Sequence, residues 1–205
     1  LNPRGRSDKL QGMAVSKNNL AMIAEQKNDF TLAEKLYKEA LGYRQERQQY
    51  DDLAHSYLHL AQLYLKSNDL DLVSIYCDSS EMMVQNLFQT DNEQFGAFEE
   101  NANRYRGMSN QYKAQLHFRL GNKPQMERNL KRANRFYGSL PIERTRLLEI
   151  SASMHHDFGD YNKALAELNV GIEIAASQGL SREKEVLYST KKRVLSSLGD
   201  EEGII

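Results

Sequence analysis

The chain has few of the residues that fix a fold covalently or break helices. Its 205 residues include one cysteine, three prolines and no tryptophan. One cysteine cannot form an internal disulfide, and so little proline leaves room for long helices. No apolar run approaches the roughly 20 residues that a helix needs to cross a bilayer. The opening residues show no basic-then-apolar leader pattern, and we expect the chain to be a fragment of a longer protein.

A strong charge of either sign is also missing. The formal net charge is −1, with 40% hydrophobic and 27% charged residues. This balance suits a folded, soluble chain rather than a disordered one. It creates no overall field that would attract nucleic acid or an acidic membrane. The segment from Lys123 to Gly138 is locally basic, but we interpret it as a solvated helix surface. We therefore expect no nucleic-acid partner and no membrane contact from this fragment.

What the chain does contain is helical periodicity, most clearly between Asn19 and Leu41. Apolar residues recur there at three- and four-residue steps, as in two amphipathic helices. Asn28 and Asp29 separate the two helices, and they can turn the chain and cap the second helix. The alanines in this stretch would let the two helices approach each other closely.

The same pattern returns forty residues later. The residues that recur in register are Leu20, Ala21, Asn28, Asp29, Leu32 and Ala33 in the first copy and Leu60, Ala61, Asn68, Asp69, Leu72 and Val73 in the second. An in-register return of this kind indicates an internal structural repeat. Further turns at Gly121, Gly159 and Gly199 extend the series, with a longer interval before Gly121.

These features resemble the tetratricopeptide repeat. The residues that carry the resemblance are Leu20-Ala21, Asn28-Asp29-Phe30, Ala33, Tyr37 and Ala40, followed later by Gly159-Asp160-Tyr161, Ala164 and Leu168. The early tryptophan of the family is missing, and the forty-residue period is longer than its usual thirty-four. The resemblance implies an all-α fold, a right-handed superhelical solenoid of antiparallel helix pairs. The long period is similar to that of arrays in bacterial, Bacteroidetes-type proteins.

The register predicts one array after a disordered lead-in at residues 1–7. Its helix-pair units are expected at 8–49, 50–90, 91–140 and 141–179, with a partial unit at 180–205. The helices are predicted at about 8–27, 30–47, 51–67, 70–89, 92–120, 123–137, 142–158, 161–177 and 181–198. The third unit is the least regular, because Gly96 and Gly107 weaken a single long helix.

Several residues could carry chemistry, but each has a simpler structural interpretation. His55 and His59 share a helix face and could hold a metal ion, yet no third ligand is evident, and we interpret them as a polar surface. His155 is predicted to be a buried, hydrogen-bonded ring, and Cys77 a buried, inert thiol. No pattern brings a nucleophile, a base and an acid together. We therefore expect no catalysis, no cofactor and no metal site.

The resemblance implies that a ligand would bind in a concave groove lined by the first helix of each pair. The positions that face this groove are rich in amides, with tyrosine and histidine interspersed, which suits the backbone of an extended peptide. The predicted groove residues are Asn19, His55, His59, Gln62, Tyr112, Gln115, Arg119 and His156. We expect Tyr112→Ala to weaken a peptide ligand and to leave the stability of the fold nearly intact.

The sequence thus predicts a non-enzymatic scaffold that binds a protein or peptide. We expect it to be the sensing or docking portion of a larger bacterial signalling or regulatory protein, and we favour a periplasmic over a cytoplasmic location. The alternative is a cytoplasmic regulator that responds to a peptide pheromone. The sequence defines neither the identity of the partner nor the oligomeric state.

Overall fold

The computed structural model describes residues 3–90 and 95–199, and every regular element in these two ranges is an α-helix. The helices are α1 (Pro3–Gln26), α2 (Phe30–Arg47), α3 (Tyr50–Ser67), α4 (Asp71–Thr90), α5 (Phe95–Arg119), α6 (Lys123–Phe136), α7 (Pro141–Asp157), α8 (Tyr161–Ser177) and α9 (Ser181–Leu198). The predicted all-α fold is confirmed. Apart from the starts of α1 and α5, the helix ends fall close to the predicted positions, because local periodicity and turn residues set them.

The chain forms two compact units, Leu1–Asn129 and Leu130–Ile205. In the first unit α1 packs on α2, α2 on α3, α3 on α4, and α4 on α5. In the second unit α7 packs on α8, and α9 packs on both of them. Each unit is therefore built from helix pairs in which the second helix also contacts the first helix of the following pair, as the repeat pattern predicts.

Small side chains let the paired helices approach closely. Ala21 on α1, Ala33 on α2 and Ala164 on α8 are fully buried, which confirms the role predicted for them. A Cβ atom added to Gly171 would lie only 2.9 Å from Cδ2 of Leu187 on α9. A larger side chain at Gly171 would therefore force α8 and α9 apart or displace Leu187.

The turns between paired helices use residues that tolerate a left-handed backbone. Asn28 and Asn68 have φ values of 60° and 64°, and Gly159 has a φ of 77°. Asparagine and glycine adopt this conformation at the least cost. Asp29 then caps α2, since its Oδ1 accepts a hydrogen bond of 3.0 Å from the backbone N–H of Leu32. The turn and cap predicted at Asn28 and Asp29 are confirmed.

One feature differs from the sequence prediction. α1 already begins at Pro3, so residues 3–7 are helical and are not a disordered lead-in. The helix predicted at 92–120 is observed as α5, which continues from Phe95 through Gly107 to Arg119. Leu20 and Leu32, two apolar positions of the repeat pattern, are exposed. Residues 1–2 of the predicted lead-in, residues 91–94 of the third unit and residues 200–205 of the partial unit lie outside the described residues.

Candidate functional site

Four rings lie in a row across three helices of the first unit, stacked at both ends of the row and tilted by 42° at its centre. Tyr37 on α2 stacks on His59 of α3, with ring centroids 5.3 Å apart and an angle of 12° between the planes. The ring of His55 lies 4.4 Å from that of His59, because residues four apart share a helix face. Tyr105 on α5 stacks on His55 at 5.6 Å. We call this row, which joins α2, α3 and α5, the ring stack.

Both imidazoles of the ring stack are held in their neutral form. The pKa of His59 is lowered to about 3, mainly by burial and then by the neighbouring His55 and Arg44. The pKa of His55 is lowered mainly by burial and then by the charge of Arg44. A neutral imidazole offers one N–H donor and one acceptor nitrogen. Across the part of the chain that the structure describes, no hydrogen bond uses these nitrogens.

Asn18 and Arg44 are among the buried side chains of the first unit that have an unpaired polar atom. Asn18 on α1 is buried, and its Oδ1 has no hydrogen-bond partner among the described residues. Arg44 on α2 is buried, and its Nε also has no hydrogen-bond partner among the described residues. The Nη1 of Arg44 donates to Oγ of Ser56, and burial lowers the pKa of the guanidinium. Buried polar groups are nearly always paired, so these two atoms are exceptions within the described residues.

The predicted amides on α3 and α5 lie at the same level along the two helices. His55 on α3 stacks on Tyr105 of α5, and Leu65 on α3 accepts a hydrogen bond from Arg119 of α5. Residues of α3 therefore lie beside residues of α5 that come 50 to 54 positions later in the sequence. This offset places Gln62 beside the turn of α5 that carries Gln115. Both amides are half-buried, and each can donate to and accept from a peptide backbone.

Tyr112 and Arg119, two other predicted groove residues, hold the fold together. Tyr112 is only 5% exposed and belongs to the hydrophobic core of the first unit, where burial raises the pKa of its hydroxyl. The expectation that Tyr112→Ala leaves the stability nearly intact is therefore wrong. Arg119 is exposed, but its Nη1 donates to the backbone oxygen of Leu65 and, at 3.1 Å, to Oδ1 of Asn68. These two bonds fasten α5 to the C-terminus of α3.

On α1 the forty-residue register gives the counterparts of the ring-stack histidines and of Gln62. These counterparts are Val15, Asn19 and Met22, and all three are exposed. The amide with an unpaired atom, however, belongs to Asn18 and not to Asn19. We call the surface formed by these positions the first-helix face of the first unit. It comprises Val15, Asn19, Met22, His55, His59, Gln62 and Gln115.

In the second unit the corresponding surface lies between α7 and α9, and its polar groups bond to one another. Four hydrogen bonds cross between the helices, from Arg146 to Glu183 (2.9 Å), Thr190 to Glu149 (2.8 Å), Arg193 to Ser153 (2.7 Å) and between His156 and Ser197 (2.8 Å). We call this row the polar ladder. His156, predicted to line the groove, is one of its members. A cleft of 380 Å³ beside the ladder has Thr145 and Leu187 among its lining residues.

His156 also takes part in a serine–histidine–aspartate arrangement. Its Nε2 lies 2.8 Å from Oγ of Ser197, and its Nδ1 lies 3.0 Å from Oδ1 of Asp157. These contacts have the connectivity of a hydrolase triad. Ser197, however, lies in the last turn of α9, where the helix dipole is negative and the backbone N–H groups are bonded within the helix. An oxyanion at this serine would gain no stabilisation from the helix, and we interpret the contacts as structural.

Two predictions about buried residues are confirmed. His155 is buried, and its Nδ1 lies 2.9 Å from Oε2 of Glu167. Cys77 is fully buried, and burial is the main cause that raises its pKa to about 12, so the thiol is inert. As for His55 and His59, no third histidine, cysteine or carboxylate among the described residues completes a metal-binding group with them.

The first helix pair matches a known family. Residues 14–47 fit the sequence model of the tetratricopeptide repeat. This segment contains all of α2 and the half of α1 that precedes it. Over this helix pair the chain is similar to the tetratricopeptide repeat family. None of the curated protein sequences matches the chain.

Two solved structures have the same fold as this chain. BtubC (BKLC) from P. vanneervenii superposes with a TM-score of 0.67 at 16% identity, and the match covers 100% of this chain and 87% of that one. A Signal Transduction ATPase with Numerous Domains from Pyrococcus horikoshii, which has a tetratricopeptide repeat sensor, superposes with a TM-score of 0.71 at 17% identity. That match covers 96% of this chain and 29% of the other.

Sequence reasoning missed the residues that complete the candidate site. It assigns Tyr37 to helix packing alone and gives Arg44 and Tyr105 no role. No local pattern could identify the last two, because their roles depend on α3 lying between α2 and α5. In the described parts of the chain, no helix combines the length and apolar character needed to span a membrane.

Proposed function

We propose that this chain is a tetratricopeptide repeat scaffold that binds an extended peptide segment of another protein on the first-helix face of the first unit. The observation that carries the proposal is the neutral, unpaired state of His55 and His59 at the centre of the ring stack. The family is an interaction module, and nothing in the described geometry assembles a working catalytic group, so we assign binding rather than catalysis.

The chemistry of the face suits a peptide backbone. An extended peptide presents N–H donors and carbonyl acceptors in alternation. Neutral imidazoles and the amides of Gln62 and Gln115 each offer both a donor and an acceptor. The planar rings of His55 and His59 are already fixed by stacking on Tyr37 and Tyr105. Binding therefore costs little side-chain entropy.

A double variant, His55→Phe with His59→Phe, tests the proposal. Phenylalanine keeps the ring stack and the volume of each ring but removes all four nitrogen atoms. The probe is a random-peptide library displayed on phage and selected on the immobilised wild-type protein. We expect peptides selected on the wild type to bind the double variant at least tenfold more weakly, since several hydrogen bonds are lost. His156→Phe in the second unit serves as the matched control and should leave binding unchanged.

Enrichment of the same peptides with the same affinity on the double variant would contradict the proposal. A melting temperature within a few degrees of the wild type is needed for the comparison, because ring substitution must not disturb the fold. Peptide binding that is lost with His156→Phe but kept by the double variant would move the site to the second unit.

We also propose that the scaffold is the sensing portion of a larger signalling protein. The support is the fold match to a signal-transduction ATPase with a tetratricopeptide repeat sensor. The alternative, a cytoplasmic regulator that responds to a peptide pheromone, requires short free peptides as ligands. Competition between a selected phage peptide and its own unlinked synthetic form separates the two, since a pheromone receptor should bind the free peptide with full affinity.

A further inference from the structure

In the second unit, helix α6 presents three cations to solvent on one side. Leu130 and Ala133 of this helix are buried, whereas Lys131, Arg132 and Arg135 are exposed. Lys131 and Arg132 stand four and three residues before Arg135, so all three lie on the same side of the helix. We call this side the cationic face of α6. It is separate from the first-helix face of the proposed function, which belongs to the first unit.

The three cations of this face have no partner among the described residues. No ion pair, hydrogen bond or ring contact within those residues involves their side chains. α6 holds five cations and one carboxylate along its whole length, although the formal net charge of the chain is −1. Positive charge is therefore concentrated on this helix and is not balanced on the face itself.

Helix α2, the second helix of the first pair, shows the arrangement expected of a helix that only faces water. Its Lys38 pairs with Glu34 one turn earlier, at 2.6 Å. Opposite charges at this spacing stabilise a helix, and like charges at the same spacing destabilise it. On the cationic face of α6 the residues at this spacing all carry the same sign, so the helix keeps a repulsion that a bound anion would remove. Such departures from local preference are expected where a surface has a further role.

A fourth cation reaches this face from α7. Nε of Arg144 donates a hydrogen bond of 3.1 Å to Oδ1 of Asn134 on α6. Asn134 comes three residues after Lys131, so the two are neighbours on the helix surface. The bond therefore holds the guanidinium of Arg144 beside the cationic face. Three of the four cations are arginines, whose planar groups bind a carboxylate through two parallel hydrogen bonds.

The extent of the face favours an acidic protein segment over a nucleic acid. Lys131 and Arg135 are separated by about 6 Å along the helix axis, and two carboxylates that lie two residues apart on an extended peptide are about 7 Å apart. Nucleic-acid binding instead depends on neutralising many phosphates over a broad basic surface, and the rest of this chain has more carboxylates than cations. We propose that the cationic face of α6, together with Arg144, binds an acidic peptide segment of a partner protein.

Three labelled probes test the proposal by fluorescence anisotropy with the intact chain. They are a short oligoglutamate peptide, a neutral glycine–serine peptide of the same length and a single-stranded oligothymidine. We expect saturable binding of the oligoglutamate at low salt, weaker binding as salt is added, and no binding of the neutral peptide. Lys131→Gln with Arg132→Gln and Arg135→Gln should weaken oligoglutamate binding at least tenfold, because the charge-assisted hydrogen bonds are lost. Glutamine keeps the helix propensity of the replaced residues.

The matched control removes three cations from α9 of the same unit, by Arg182→Gln, Lys191→Gln and Lys192→Gln. It changes the net charge by the same amount and should leave oligoglutamate binding unchanged, since the location of the charges decides the contact. The melting temperature of the α6 variant should be equal to or above that of the wild type, because repulsion within the helix is removed. Lost binding would then not be due to unfolding. The double variant His55→Phe, His59→Phe should bind the oligoglutamate normally, which separates this proposal from the proposed function.

Three results would overturn the proposal. The first is the absence of saturable oligoglutamate binding, or an equal loss of binding in the α6 and α9 variants. The second is tighter binding of the oligothymidine than of the oligoglutamate, abolished by the α6 substitutions, which would make a nucleic acid the occupant of the face. The third is self-association of the pure protein, seen by sedimentation, that the α6 substitutions abolish. That result would make a second copy of this chain the occupant.

Discussion

The two units present the same kind of surface in opposite chemical states. Between α7 and α9 the polar groups are paired across the helices in the polar ladder. On the first-helix face of the first unit, the imidazoles of His55 and His59 have no hydrogen bonds within the described residues. Every buried side-chain nitrogen or oxygen atom that lacks a hydrogen-bond partner among the described residues also lies in the first unit. A repeated fold can therefore hold one surface whose polar groups bond to one another and another whose imidazoles make no such bonds within the described residues.

The largest effect is expected from the core beneath the first-helix face. Tyr112→Ala should lower the free energy of unfolding by about 3–4 kcal/mol, as for other large-to-small changes in a core. The cause is a cavity beside Tyr37 and the loss of buried ring area, and chemical denaturation measures it. Gln115→Ala, one turn away on the same helix, is the control and should change the stability by less than about 0.5 kcal/mol. Similar values for the two variants would show that Tyr112 is not a core residue.

In the second unit the close approach of α8 and α9 should be nearly as sensitive. Gly171→Val should destabilise the protein by about 2–3 kcal/mol, because its side chain would collide with Leu187. Gly42→Ala is the control, since an added Cβ meets no atom within 4 Å there. It should stabilise the protein by about 0.5–1 kcal/mol through better helix propensity. Thermal melts of both variants compare their effects on stability. If Gly42→Ala destabilised the protein as well, the close approach at Gly171 would not explain the effect of Gly171→Val.

The neutral histidines of the ring stack should make the first unit sensitive to acid. The unfolded chain takes up a proton on each histidine below about pH 6.5, whereas folded His59 stays neutral down to about pH 3. Stability should therefore fall as the pH drops below 6.5. Between pH 7 and pH 5 the wild type should lose roughly 1–2 kcal/mol more than His59→Phe, which has no such proton. Parallel denaturation curves at the two pH values measure this, and equal losses would mean that His59 titrates normally.

The smallest expected effect concerns the polar ladder. Arg193→Ala removes one exposed rung, the bond of 2.7 Å to Ser153. It should cost about 0.5–1 kcal/mol, the usual net value of such a bond. The equivalent truncation on the first-helix face, Gln62→Ala, should cost less, because that amide makes no bond to lose. Urea denaturation measures the loss of unfolding free energy in the two variants. A larger loss for Gln62→Ala than for Arg193→Ala would contradict the difference between the two surfaces.

Much of the fold follows from local sequence. The bounds of α2, α8 and α9 agree with those expected from apolar periodicity and turn residues, since helix ends depend on residues within a few positions of the turn. The buried alanines and the inert state of Cys77 follow from the same pattern. The candidate site could be predicted in part. The shared face of His55 and His59 follows from their spacing, but the rings that stack on them come from other helices.

The sequence by itself determined that this protein is a series of amphipathic helix pairs with small residues at their contacts. Only the tertiary structure decided which of two like residues is buried. Leu20 and Leu60 occupy the same place in the repeat, yet one is exposed and the other sealed, because α2 packs on the helix that carries Leu60 and no described helix packs on Leu20 in the same way. Tyr112 was likewise placed in the core by its neighbours on other helices. Periodicity gives the direction of a side chain on its own helix, whereas burial depends on what packs against that side from elsewhere in the chain.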